Sequence, residues 1–112
     1  MSLVDQSCIP CHEGTPPLDR SRIASLIGQL DEGWNLNLNS HIEKSYKFKD
    51  FTGPMSFANR IAELADSEGH HPDLHITWGK CVVEIWTHEI QGLSENDFVL
   101  AAKVDRLWSV WK

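Results

Sequence analysis

A chain of 112 residues with 41% apolar and 23% charged residues suits one soluble domain with a single small core. Its net charge of −6 and the lack of a basic run argue against nucleic acid as the main ligand, because phosphate recognition needs clustered lysine and arginine. No apolar run approaches the roughly 18–20 residues of a membrane span, and Met1-Ser2-Leu3-Val4-Asp5-Gln6 has neither the basic nor the apolar region of a signal peptide, so the expectation is a cytoplasmic protein with no membrane partner.

Residues 1–17 are polar and proline-bearing and read as a flexible arm ahead of one domain over 18–112. The arm holds Cys8-Ile9-Pro10-Cys11-His12, which matches the C-x-x-C-H pattern of haem c attachment. Haem attachment needs export and a body to enclose the group, and neither is visible. An inert tail feature is the first reading, and an oxidisable thiol pair or a surface metal clip using His12 the second. Three cysteines, an odd count, argue against a secreted disulfide framework.

The first helix opens on Asp19 as N-cap, with Leu18 and Ile23 as a hydrophobic staple. Ile23, Leu26, Ile27 and Leu30 follow helical spacing, and Gly33 can stop the helix. Trp34, Leu36 and Leu38 alternate with three asparagines as a strand, Ser40-His41 turns, and Tyr46 and Phe48 mark the next strand, leaving His41 exposed. Thr52-Gly53-Pro54 opens a second helix, whose stripe is Phe57, Ile61 and Leu64 and whose natural end is Gly69. Leu74, Ile76 and Trp78 alternate along a third strand. After Gly79-Lys80 the fourth puts Cys81, Val83, Ile85 and Thr87 on one face and Val82, Glu84, Trp86 and His88 on the other. The last helix starts at Ser94, with Asp97 completing a capping box, Leu93 and Phe98 as staple, and Leu100, Val104, Leu107 and Trp111 as stripe. The order α-β-β-α-β-β-α predicts an α+β, two-layer fold: a four-stranded antiparallel sheet with three helices packed on one face.

Three of the six histidines gather around two points in this order. His70 and His71 follow a helix C-terminus, and Pro72 restricts His71 to extended backbone. His88 sits at the tip of the fourth strand. Imidazole, with an unperturbed pKa of about 6.5, can give and take a proton near neutrality. Trp78 and Trp86 could supply a flat wall for a planar ring, although aromatic residues also favour strands. Asp97 is already explained as a cap. His70, His71, His75, His88 and Cys81 are possible metal ligands, but His71 and His75 are not spaced i, i+4 on a helix and Cys81 and His88 face opposite sides, so no metal is expected. There is no Gly-rich phosphate loop, no G-x-S-x-G and no Ser-His-Asp set.

The run Asp66-x3-His70-His71-Pro72, then Trp78, His88 and Asp97, resembles the signature of the pterin-4a-carbinolamine dehydratases. The likeness extends from about Leu18 onward through Gly33-Trp34, Phe48-Lys49-Asp50-Phe51, Thr87-His88-Glu89 and Gly92-Leu93-Ser94-Glu95. It implies an enzyme that dehydrates 4a-hydroxytetrahydropterin to quinonoid dihydropterin with no metal or organic cofactor. It implies His70 and His88 as the acid/base pair and His71 as the residue that binds and orients the pterin. Asp66, Gly69, Pro72, Trp86, Thr87, Glu89 and Asp97 are the residues expected around the substrate. It also implies a four-stranded sheet backed by helices, and a homodimer or homotetramer. Three positions depart from the family pattern: Asp66 stands for a common glutamate, Leu74 for a frequent aromatic, and Trp86 for a frequent small residue whose replacement narrows the site. The resemblance also implies a second role, since the animal members serve in addition as dimerisation partners of a homeodomain transcription factor; the rival reading is a non-catalytic interaction module with Trp86, Trp108 and Trp111 as anchors.

Overall fold

A computed structural model describes residues 2–8 and 16–111. Cys11 and His12 of the C-x-x-C-H pattern lie outside the described residues. The elements are α1 (Arg20–Ile27), β1 (Asn35–Leu36), β2 (Ile42–Lys47), α2 (Thr52–Glu68), β3 (Asp73–Thr77), β4 (Lys80–Ile85) and α3 (Glu95–Ser109), with 3-10 turns at Leu3–Asp5 and His88–Ile90. This is the expected order. The sheet runs β1-β2-β4-β3 and every pairing is antiparallel. No described helix is long and apolar enough to cross a membrane.

The alternation of side chains on β2 and β4 builds the core. Ile42 pairs with Ile85, Lys44 with Val83 and Tyr46 with Cys81. All six are buried, so this face meets Phe57 and Ile61 of α2, Phe98, Leu100 and Val104 of α3, and Leu26 of α1. Glu43, Ser45, Val82 and Glu84 fall between them and turn to the other face. Trp108 and Trp111 pack from α3 and its end onto Phe57, with ring centroids 5.4 and 5.3 Å away, and Trp108 also meets Tyr46 and Phe48. These two of the three proposed anchors thus already have an intramolecular aromatic partner.

Three local expectations changed. β1 is cut to two residues: Leu36 is 43% exposed and Leu38 fully exposed, instead of facing the core. Asn37 is the cause, because its side-chain oxygen accepts from the N–H groups of Asn39 (2.9 Å) and His41 (3.0 Å) and so folds the chain into a turn in place of a ladder. α1 stops at Gly28, well before Gly33, and the chain beyond is drawn towards α3 by Asp105, which accepts from Asp31 N–H (3.1 Å) and Trp34 Nε1–H (2.9 Å). Gly33 (φ 111°) serves a different need. A Cβ there would lie 3.1 Å from Lys44 Cε, so the glycine lets Lys44 through to Asp105, 2.8 Å away. β3 ends at Thr77, and Trp78 stands 70% exposed in the turn, not on a core face.

The described part of the arm is seated. Leu3 is 5% exposed in the core cluster, and Cys8 N–H donates to Glu68 Oε1 at 3.0 Å.

Candidate active site

The second helix delivers the site because of how it ends. Gly69 closes α2 in the left-handed region (φ 67°), its N–H bonded to the Ala65 carbonyl, and the chain leaves the helix at His70. The second contribution comes from the end of β4. Thr87 and Gly92 form an isolated antiparallel bridge, and the 88–91 loop between them carries His88 in a 3-10 turn, not in the strand as the alternation suggested. The third is the N-terminus of α3. These three ends and Cys8 enclose a cleft of about 480 Å³.

Of the residues singled out from sequence, Asp66, Gly69, His70, His71, Trp86, Thr87, His88 and Glu89 line this cleft together. Pro72 and Trp78 do not line it. Asp97 stands behind it with no exposed surface. His75 bonds Glu84, and Cys81 is wholly buried in the core, so neither joins the other histidines.

His70 and Asp97 form the best-defined contact. The ring Nε2–H donates to Asp97 Oδ1 at 2.6 Å, and the imidazole is 11% exposed. Asp97 Oδ2 accepts from Thr87 Oγ1 (2.9 Å) and from the backbone N–H of Ser94 (2.8 Å). The expected capping box is present, and its carboxylate serves the cleft as well as the helix. A buried carboxylate needs such donors, since an unpaired one would be strongly disfavoured. His71 meets Asp66 at 3.0 Å in a pair open to solvent on both sides. Such pairs are weak because water competes for both partners.

Trp86 lines the cleft but offers it no open face. The His41 ring stacks on it at 3.9 Å with planes 3° apart, and the His88 ring at 4.1 Å and 18°. His41, expected to be an exposed turn residue, is only 17% exposed and bonds Glu84 Oε2 through Nδ1 at 2.8 Å.

Cys8, Ser67, Glu68 and Asn96 also line the cleft and were not anticipated. Cys8 Sγ–H donates to the Asn96 carbonyl at 3.6 Å. Burial, then the Glu68 carboxylate, pushes the thiol up to about 12, so it stays protonated and unreactive at ordinary pH. Burial pushes the Glu68 carboxyl up, but the Lys103 ammonium at 2.6 Å and the Cys8 N–H outweigh it and hold it below the usual range. Glu68 directly precedes Gly69, which is a weak positional signal. Cys8 had none, because its hydrogen-bond partners are 60 and 88 residues away in sequence.

Residues 16–107 match the family model described as pterin 4 alpha carbinolamine dehydratase. A Rickettsia bellii protein named for pterin-4-alpha-carbinolamine dehydratase is 56% identical over 106 residues, covering 95% of this chain and 94% of the relative. One from Rickettsia canadensis, named likewise, is 50% identical over 103 residues, covering 92% and 94%. A crystal structure from Brucella melitensis, described as a transcriptional coactivator/pterin dehydratase, superposes with a TM-score of 0.75 at 28% identity over 82% of this chain and 98% of that one.

Proposed function

The chain belongs to the pterin-4-alpha-carbinolamine dehydratase family, a family of lyases, and from that premise we propose that the cleft dehydrates a 4a-hydroxytetrahydropterin by histidine acid/base catalysis within tetrahydrobiopterin recycling. The C4a–O bond breaks with its electron pair going to oxygen, which takes a proton and leaves as water. N5–H loses its proton, and that pair becomes the N5=C4a double bond of the quinonoid dihydropterin. Nothing is oxidised or reduced overall, so the chain needs only one group to give a proton and one to take it.

The observation that carries the assignment is the 2.6 Å bond from His70 Nε2–H to the buried Asp97. It commits Nε2 and leaves the Nδ1 lone pair as the site that takes the N5 proton. His88, exposed and lining the same cleft, gives its proton to the departing hydroxyl. His71, less constrained, orients the pterin. Glu89, exposed at the cleft, reads the polar edge of the ring, whereas Thr87 is buried with its hydroxyl and backbone groups already paired to Ser94, Asp97 and Gly92. His70→Ala and His88→Ala should each lower dehydration by about 10²–10⁴-fold, the usual worth of a positioned acid or base, with the urea midpoint of His88→Ala near wild type. The assay subtracts spontaneous dehydration. Full activity in both variants would overturn the roles.

A further inference from the structure

Neither face of the Trp86 indole is open to a substrate. Two coplanar rings cannot both sit within 4.1 Å of one ring centroid on the same side without overlapping, so His41 and His88 cover opposite faces. A pterin could stack on this indole only by displacing one of them. The flat wall expected from sequence is therefore already occupied, and only the indole edge borders the cleft.

The two covering rings are held differently. The His41 ring is clamped, with Nδ1 2.8 Å from Glu84 Oε2. The same carboxylate accepts from Asn37 Nδ2 at 2.8 Å and from His75 at 3.1 Å, and is 12% exposed. Burial pushes the Glu84 carboxyl up, but these three hydrogen bonds outweigh it and hold it below the usual range, so the clamp stays ionised. The His88 ring makes no hydrogen bond among the described residues. It is exposed on a short 3-10 turn, and its stack on Trp86 is the contact that sets its plane.

We propose that Trp86 is a platform that orients His88, and that His41, clamped by Glu84, is a positioning residue that steadies this platform from behind. The inference rests on the acid role given to His88 above. A histidine without the platform spreads over three χ1 wells and two ring orientations, so roughly one conformer in six would aim at the substrate. Losing the platform then lowers kcat roughly sixfold and leaves KM within about twofold, because the pterin does not itself lean on the indole.

The test combines steady-state dehydration kinetics with ring-proton NMR of His88 in Trp86→Ala, Trp86→Phe, His41→Ala and His41→Phe. In the wild type the indole ring current moves the His88 resonances upfield. Trp86→Ala abolishes that shift and lowers kcat, and His41→Ala weakens both. The two phenylalanine variants, which keep a flat ring, restore most of each. If Trp86→Ala fails to fold, the remaining three variants carry the comparison. An unshifted His88 in the wild type overturns the platform whatever the activity. A Trp86→Ala variant with raised KM and intact kcat makes the indole a substrate-stacking wall and overturns it too. His41→Ala identical to wild type in both readouts removes His41 from the device. If His88→Ala keeps full activity while the upfield shift is present, the acid role fails and the stack itself stands.

Discussion

Helix α3 carries two buried carboxylates about two turns apart, and their surroundings differ in one decisive respect. Asp105 is 4% exposed and accepts from Lys44 Nζ (2.8 Å), Tyr46 OH (2.6 Å), Trp34 Nε1–H (2.9 Å) and Asp31 N–H (3.1 Å). Its charge is met by the Lys44 ammonium, and the set is closed. Asp97 has no exposed surface and accepts from a threonine hydroxyl, a backbone N–H and the His70 ring. Its partner can change protonation state and its other side borders a cleft. The same residue type on the same helix is a staple where its partners are fixed and a support for chemistry where one partner can titrate.

The largest effect expected from this contrast is on stability at the closed site. Asp105→Ala leaves the Lys44 ammonium and three other donors without their acceptor, and should cost about 3–5 kcal/mol in urea unfolding. Dehydratase activity per folded molecule should be near wild type. A loss below about 1 kcal/mol would erase the distinction between the two carboxylates.

Next comes the open site. Asp97→Asn keeps the volume but presents an amide where His70 Nε2–H needs an acceptor, so the ring can turn or change tautomer. We expect kcat to fall by about 10²-fold. Stability should drop by about 1–2 kcal/mol through the weakened cap. A variant that lost stability without losing kcat would make Asp97 a second staple.

Acid should then separate the carboxylates of the sheet and α2 from the rest. Glu84 and Glu68 are held below their unfolded value of 4.5. Their stabilisation is complete above that pH, because the unfolded chain already has them ionised there, and it is lost as the pH falls through the lower folded values. Urea midpoints followed from about pH 6 to about pH 3 should decline, and Glu84→Gln with Glu68→Gln should flatten the decline. An unchanged acid limb in the double variant would contradict the assignment. The smallest effect belongs to the solvent-exposed His71–Asp66 pair. His71→Ala should shift stability by only about 0–1 kcal/mol and act on KM more than on kcat.

The parts of this arrangement that could be read from the chain were those whose causes lie within one turn or one strand. The Ser94–Asp97 box, the Gly69 helix stop, and the alternation that buries Cys81, Val83 and Ile85 with Thr87 are all short-range patterns, and the structure contains them. β1 misled because a competing local device, the Asn37 side chain, captured backbone groups that the alternation had assigned to a ladder. The second duty of Asp97, to which only the family resemblance pointed, was missing from the local pattern for another reason. A capping residue looks complete in sequence, and nothing in its neighbourhood announces a histidine 27 positions earlier. Asp105 and its partners Lys44 and Trp34, 61 and 71 positions away, gave no local signal at all.

Periodicity, caps and turn residues determine each element and the face it buries, and so the sequence by itself set the α+β order and brought forward the histidines of the cleft. Only tertiary structure decided which groups support them. It placed Asp97 behind His70, His41 behind Trp86, and Cys8 of the arm at the rim. The physical reason is range. Propensity and capping act over a few residues, whereas the orientation of a ring and the pairing of a buried charge depend on whatever the closed chain brings within hydrogen-bonding or stacking distance.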